Sequence, residues 1–168
     1  MSNRLNAISP LDGRYFSSVG HLSAYFSETA LMAYRLKVEI EYLIALANEK
    51  GIEHLSPFSN SQQSRLRKFY QNFNSTCAKQ VKAIEATTNH DVKAIEYYIQ
   101  GKVKKSLHPW IHFGLTSEDI NNLAYSLMWQ DGLKQIYVPA LQLVNNLLKG
   151  FAKKYKNTSM LALTHGQP

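Results

Sequence analysis

Polar and titratable side chains gather at four places where the helical pattern of the chain is interrupted. These are Arg14-Tyr15, Asn89-His90-Asp91, Thr116-Ser117-Glu118 and Thr164-His165-Gly166-Gln167. Histidine suits proton transfer near neutral pH, and the free backbone amides at helix starts bind anions. The four segments therefore predict a pocket for an anionic substrate, with histidine available for proton transfer.

Each of these segments also has a purely structural interpretation. Asp91 and Ser117 are both good N-cap residues for the helices that follow them, and His90 could form a structural pair with Asp91. Arg14 follows an ordinary Asp-Gly turn and could be a surface residue. The sequence contains no Gly-rich phosphate loop, zinc-binding spacing or Ser-His-Asp order. Residue types alone therefore indicate an anion site and no particular reaction.

Helical patterns fill most of the sequence between these segments. Ser27 is expected to cap a helix with two apolar stripes that ends at Gly51. Apolar residues at three- and four-residue steps predict further helices around 66–73, 78–84 and 92–99, another from Thr116, and a long last helix with Pro139 in its first turn. The first 26 residues are expected to be irregular, and no useful strand alternation occurs. The predicted fold class is all-α.

Composition narrows the classes of partner. The chain has 168 residues, of which 45% are hydrophobic and 18% charged, so a core is expected and wholesale disorder is excluded. A net charge of +7 suits nucleic acid, an anionic membrane surface or small polyanions. The basic runs at 102–105 and 153–156 are short and typical of helix ends, and no apolar run approaches membrane-spanning length. Small anionic substrates are favoured, with no nucleic-acid or membrane partner expected.

Cys77 is the sole cysteine, which excludes an internal disulfide and a Cys-rich metal cage. No neighbour is arranged to activate its thiol, so a passive position on a helix face is expected. The residues from Met1 to Asn6 contain no apolar signal region. We therefore expect a soluble, cytoplasmic protein that needs neither a metal ion nor a cofactor.

Five strings resemble the adenylosuccinate lyase family of the fumarase/aspartase superfamily, in this order and spacing. They are SPLDGRY at 9–15, TTNHDVKAIEY at 87–97, IHF at 111–113, TSEDINN at 116–122 and THGQP at 164–168, and the resemblance runs from about residue 7 to the end. It implies a homotetramer built around a long helical bundle, with each active site assembled from three subunits. Residues 1–110 would form an N-terminal helical domain, and residues 111–168 the first part of the central bundle domain. Later helices or other subunits would then cover the apolar helices after Thr116.

The resemblance also implies a reaction, the β-elimination of fumarate from adenylosuccinate, giving AMP, and from the succinyl-aminoimidazole-carboxamide nucleotide of purine biosynthesis. His165 matches the general acid that protonates the departing nitrogen. Substrate contacts are implied for eight residues: Arg14 and Tyr15 near the phosphate, Asn89, His90 and Asp91 lining the site, His112, and Thr116 and Ser117 holding a carboxylate. His90 would help to orient or polarise the substrate.

The sequence departs from the family in one respect. The catalytic base of the family is a serine on a mobile loop with a Ser-Ser-x-Met-Pro-x-Lys-x-Asn signature, which is expected beyond Pro168. The chain is therefore expected to be an N-terminal portion that is inactive alone. Two alternatives are another superfamily lyase, such as argininosuccinate lyase or fumarase, and a non-catalytic helical interaction module. The Asp-Gly-Arg-Tyr and Thr-Thr-Asn-His-Asp strings disfavour the first, and the full set of expected site residues disfavours the second.

Overall fold

A computed structural model of the chain describes residues 4–159 and residue 165. The elements in these residues are all helical, with no strand among them, which confirms the predicted all-α class. The chain divides into two compact units, Met1–Gly132 and Leu133–Pro168. The predicted boundary near residue 110 refers to the domains of an assembled enzyme and stays a prediction.

The first unit contains seven α-helices in its described residues. They are α1 (Phe16–Val19), α2 (Ser23–Phe26), α3 (Glu28–Leu46), α4 (Asn60–Gln71), α5 (Ser75–Thr88), α6 (Asp91–Gln100) and α7 (Ser117–Gly132). Short 3₁₀ turns cover Arg4–Asn6, Gly20–Leu22 and Lys105–Trp110. The expectation that the first 26 residues are irregular is therefore wrong, because two α-helical turns and two 3₁₀ turns form there. These turns are too short to produce a readable apolar period.

The central helix of this unit is α3. Its start is as predicted: the Ser27 Oγ accepts a hydrogen bond from the Ala30 amide at 3.1 Å, and Glu28 lies in the first turn, where its charge suits the helix dipole. Its end is not at Gly51 as predicted. The last helical residue is Leu46, and Ala47 caps the helix with right-handed dihedrals, donating its amide to the Leu43 carbonyl.

The core forms on both sides of α3, as its two apolar stripes predict. One cluster joins α3 to α4, α5 and α6 and includes the fully buried Leu36, Ile40 and Ile95. A smaller cluster joins α3 to α6 and α7 through Val38, Val92, Ile120 and Ala124. Truncating a fully buried leucine or isoleucine of this kind to alanine costs about 2–5 kcal/mol. Because both clusters pack on α3, this helix is firmly held and can position the segments that its polar residues bind.

The short helix α2 packs closely on the end of α7. The Phe26 ring lies 5.8 Å from the Trp129 ring, edge to face. A Cβ atom added to Gly132 would come within 2.6 Å of the Phe26 Cζ, so a larger residue there would displace the Phe26 ring.

The second unit consists of a π-helical segment, Leu133–Tyr137, and α8 (Val138–Tyr155). Pro139 lies in the first turn of α8, as predicted. The predicted apolar stripe of this helix is exposed within the chain, at Leu143, Leu147, Leu148 and Phe151. Across the described residues, no helix is long and apolar enough to cross a membrane.

Candidate active site

The junction between α5 and α6 is built from Asn89, His90 and Asp91. Asn89 ends α5 with a left-handed backbone (φ 52°), a conformation that asparagine tolerates better than most residues. His90 is the N-cap of α6, and its Nδ1 accepts a hydrogen bond from the Lys93 amide at 3.2 Å. The alternative that Asp91 is the N-cap is therefore wrong, because Asp91 is already the first helical residue.

The cap fixes the tautomer of His90. Since Nδ1 accepts a hydrogen bond, the proton of the neutral ring lies on Nε2. The side chain is half exposed. Together with Lys82, Glu85 and Asn89 it lines an open depression of about 590 Å³. His90 thus combines a structural role at the helix start with an Nε2–H group available to a ligand.

Asp91 is held by a buried arginine. The Arg35 side chain, on α3, lies 2.6 Å from the Asp91 Oδ2, and the Asp91 Oδ1 accepts a hydrogen bond from the Val92 amide at 2.9 Å. Partial burial alone would raise the pKa of Asp91, but the Val92 amide and the Arg35 charge outweigh it and lower that pKa below its ordinary value. Asp91 is therefore a fixed carboxylate at neutral pH.

The same arginine reaches the first turns of α7. Its Nε donates to the Asn121 Oδ1 at 2.9 Å. Nearer the end of α7, the hydroxyl of the neighbouring Tyr34 donates to Asp131 at 2.8 Å. One buried guanidinium on α3 thus ties the start of α6 to the start of α7, which brings two of the predicted substrate-binding segments onto one support.

Thr116 and Ser117 lie at the start of α7, but their roles differ from the prediction. The helix begins at Ser117 itself, so the expected Ser117 cap is one residue out. Thr116 precedes the helix, and both its amide and its hydroxyl donate to the Asp119 Oδ2, at 2.7 and 2.8 Å. These two bonds lower the pKa of Asp119. The donors of Thr116 are therefore already engaged, while Ser117 occupies the first position of the helix.

His112 is held by a second polar contact from α3. Its Nδ1 lies 2.6 Å from the Glu39 Oε1, and its backbone is left-handed (φ 61°). In the same segment, the Tyr42 hydroxyl donates to the Phe113 carbonyl at 2.8 Å. Burial raises the pKa of Glu39, against the opposing effect of its bond to His112. The loop that leads into α7 is thus fastened to α3 at two successive residues.

Sequence reasoning missed the residues that position the site. Arg35, Glu39 and Tyr42 are spaced i, i+4 and i+7, which places them on one face of α3. This polar row within an otherwise apolar helix was a readable signal. Its partners were not readable, because they lie 56 to 86 residues away along the chain.

Arg14 and Tyr15 lie in the turn that precedes α1. The turn is closed by the Asp12 and Gly13 amides, which donate to the Ser9 carbonyl, and the Arg14 guanidinium lies 5.6 Å from the centre of the Tyr15 ring. Within the described residues, no hydrogen bond or ion pair joins Arg14 or Tyr15 to the α5–α6 junction or to the segment around His112. Their predicted phosphate contact stays a prediction.

His165 belongs to the second unit, where it is exposed and has a left-handed backbone (φ 54°). The other residues of its motif, Thr164, Gly166 and Gln167, lie outside the described residues. Its predicted role as general acid is therefore untested. In the part of the chain that the structure describes, no three His, Cys, Asp or Glu side chains are grouped so as to hold a metal ion.

The chain is similar to known lyases over almost its whole length. A family model described as "Lyase" matches residues 13–168. The adenylosuccinate lyases of Dictyostelium discoideum and of Legionella pneumophila (strain Philadelphia 1) are each 44% identical, over 99% and 98% of this chain. That of Escherichia coli K12 is 38% identical over 98% of the chain.

The chain spans about 37% of the length of each of these curated relatives. The family model begins at residue 13 and therefore covers every residue of the candidate site, from Arg14 onwards. By this match, the chain belongs to the lyase family.

Proposed function

We propose that this chain is the N-terminal portion of an adenylosuccinate lyase, which eliminates fumarate from adenylosuccinate and from the succinyl-aminoimidazole-carboxamide nucleotide. The observation that carries the proposal is the similarity to adenylosuccinate lyases from an amoeba and from bacteria. The aligned region covers 98–99% of the chain, at 38–44% identity. The support that α3 gives to the predicted substrate-binding segments agrees with it.

The reaction needs three kinds of group. A base removes a proton from the carbon beside a carboxylate, donors stabilise the negative charge that spreads into that carboxylate, and an acid protonates the departing nitrogen. We assign the acid to His165, the donors to Ser117 and His90, and a further substrate contact to His112. The base is supplied by a loop that these residues do not include.

The starts of two helices would supply favourable electrostatics for binding the anionic substrate. Asn89, His90 and Asp91 lie at the start of α6, and Thr116 and Ser117 lie at the start of α7. At both places the helix dipole favours an anion. The substrate carries a phosphate and two carboxylates, which suits a chain of net charge +7. Asn89 and Asp91 would line this site, and Arg14 and Tyr15 would contact the phosphate.

The complete protein would be a cytoplasmic homotetramer of purine biosynthesis. Residues 1–110 would form its N-terminal domain and residues 111–168 the start of its central bundle. The exposed apolar stripe of α8 supports this assignment, since large apolar surfaces of that kind are buried in helical bundles. The chain 1–168 alone would release no fumarate.

The test uses the complete protein encoded by the same reading frame. Adenylosuccinate is added and the absorbance change is followed for wild type, His165→Ala and the control His54→Ala, which changes an exposed histidine without a predicted role. We expect turnover in wild type and control, and a loss of about 10²–10⁴ in His165→Ala.

Other outcomes would redirect the assignment. Turnover of argininosuccinate or of fumarate, but not of adenylosuccinate, would indicate another superfamily lyase. A folded tetramer without any such activity would leave a helical interaction module.

A further inference from the structure

Glu39 is a buried carboxyl group in the middle of α3. Only 1% of the residue is exposed, and glutamate is almost never buried to this degree unless it is paired. Its Oε1 lies 2.6 Å from the His112 Nδ1. Its Oε2 is also buried and, among the described residues, has no hydrogen-bond partner.

The burial of this carboxyl group destabilises the fold. Burying a carboxyl group with one oxygen unsatisfied costs free energy, and burial raises the pKa of Glu39. An apolar or amide side chain would fill the same volume at lower cost. A contribution to stability therefore does not explain why this position is a glutamate. Its contact with the His112 ring does explain it.

The contact leaves one nitrogen of His112 for other use. With Nδ1 bound to Glu39, the remaining nitrogen, Nε2, lies 3.9 Å from the Glu96 Oε1, which is beyond hydrogen-bond distance. The other oxygen of Glu96 is paired with the Lys93 Nζ at 2.7 Å. The ring is also held through its backbone, because the Tyr42 hydroxyl binds the next carbonyl, at Phe113.

We propose that Glu39 is a positioning residue, whose carboxylate accepts a hydrogen bond from the His112 Nδ1 and so holds the ring with Nε2 as its free nitrogen, facing the substrate. This role rests on the proposed elimination reaction. A carboxylate that orients a histidine in this way fixes both the tautomer and the ring plane. The charged groups that face the pair are Lys93 and Glu96 on α6 and Asp119 on α7.

The test compares Glu39→Gln with Glu41→Gln in the complete protein. Glu41 is on the same helix, but its carboxylate binds Arg67 and Tyr70 and has no part in the site. We expect kcat on adenylosuccinate to fall about tenfold to a hundredfold in Glu39→Gln, the range found when the carboxylate partner of a ligating histidine is removed. KM should change little, because the contact matters most where charge develops. Glu41→Gln should keep wild-type turnover.

A double variant separates positioning from a general loss of structure. If Glu39 acts through His112, then adding Glu39→Gln to His112→Gln lowers kcat no further. A double variant that is slower by the product of the two single effects would overturn the proposal.

A second readout does not need turnover. Hydrogen–deuterium exchange at the His112 imidazole Cε1, followed by mass spectrometry, depends on the charge state of that ring. Its rate should differ from wild type in Glu39→Gln and not in Glu41→Gln. Unchanged exchange in Glu39→Gln would overturn the positioning role, whereas a wild-type protein that leaves adenylosuccinate intact would overturn the proposed function.

Discussion

The guanidinium of Arg35 lies 2.6 Å from the carboxylate of Asp91, and this contact fixes the start of α6 against α3. The same side chain, only 5% exposed as a residue, also binds Asn121 near the start of α7. Two segments that would bind the substrate are thus held by a residue with no predicted contact to it. The position of the start of α6 relative to the start of α7 is therefore set by α3, which binds both.

Replacing Arg35 with methionine should therefore impair both folding and activity. The change keeps much of the apolar stem but removes the contacts of the guanidinium with Asp91 and Asn121. A hydrogen bond that involves a charged group is worth about 1.5–3 kcal/mol. We expect a lower free energy of unfolding in urea and a lower kcat/KM for the complete protein.

The matched control for this change is Arg65→Met. Arg65 is an exposed residue of α4 and lies outside the candidate site, and exposed charges contribute little to stability. An Arg35→Met protein as stable and as active as Arg65→Met would contradict the role given to Arg35.

Acid should weaken the Arg35–Asp91 contact in a defined direction. The folded protein lowers the pKa of Asp91, so the unfolded chain takes up the proton first as the pH falls. The resulting stability is present above the unfolded value of about 3.9 and is lost as the pH falls through the lower folded value. The difference in unfolding free energy between wild type and Asp91→Asn should therefore be largest near neutral pH and shrink below about pH 4. A difference that grows in acid would show that Asp91 is not the group responsible.

His90 offers a way to separate a structural role from a chemical one. Asparagine is a better N-cap than histidine and should keep or raise stability, whereas alanine removes the cap at a cost of about 0.5–2 kcal/mol. Neither variant keeps an Nε2–H group. We therefore expect His90→Asn to unfold at or above the wild-type temperature, and both variants to lose catalytic activity. Wild-type kcat/KM in His90→Asn would reduce His90 to a helix cap.

Interactions between near neighbours in sequence could be predicted, and those between distant residues could not. The Ser27 cap and the position of Pro139 depend on residues within one helical turn, and both are as expected. Asp91 was a better N-cap candidate than His90 by residue type alone. It lies inside the helix instead, and its carboxylate pairs with Arg35, far away in sequence. The Glu39–His112 contact could not be predicted for the same reason. The two residues are 73 positions apart, and no residue near His112 in the sequence indicates that Glu39 is its partner.

The start of α7 allows the last prediction, because Thr116 and Ser117 differ in what their hydroxyl groups already do. The Thr116 hydroxyl donates to Asp119, so Thr116→Val should mainly loosen the helix start. Ser117, at the first helical position, should be the donor to the substrate carboxylate. One hydrogen bond to a charged group is worth about 1.5–3 kcal/mol, so Ser117→Ala should lower kcat/KM by roughly tenfold to a hundredfold.

Steady-state kinetics and thermal unfolding of the two variants, measured side by side, decide between these roles. Thr116→Val is expected to lose more in melting temperature, and Ser117→Ala more in kcat/KM. The opposite order would mean that Asp119 releases the Thr116 hydroxyl when substrate binds. In that case the pair seen at the start of α7 would describe the resting site, and Thr116 would be the residue that holds the carboxylate.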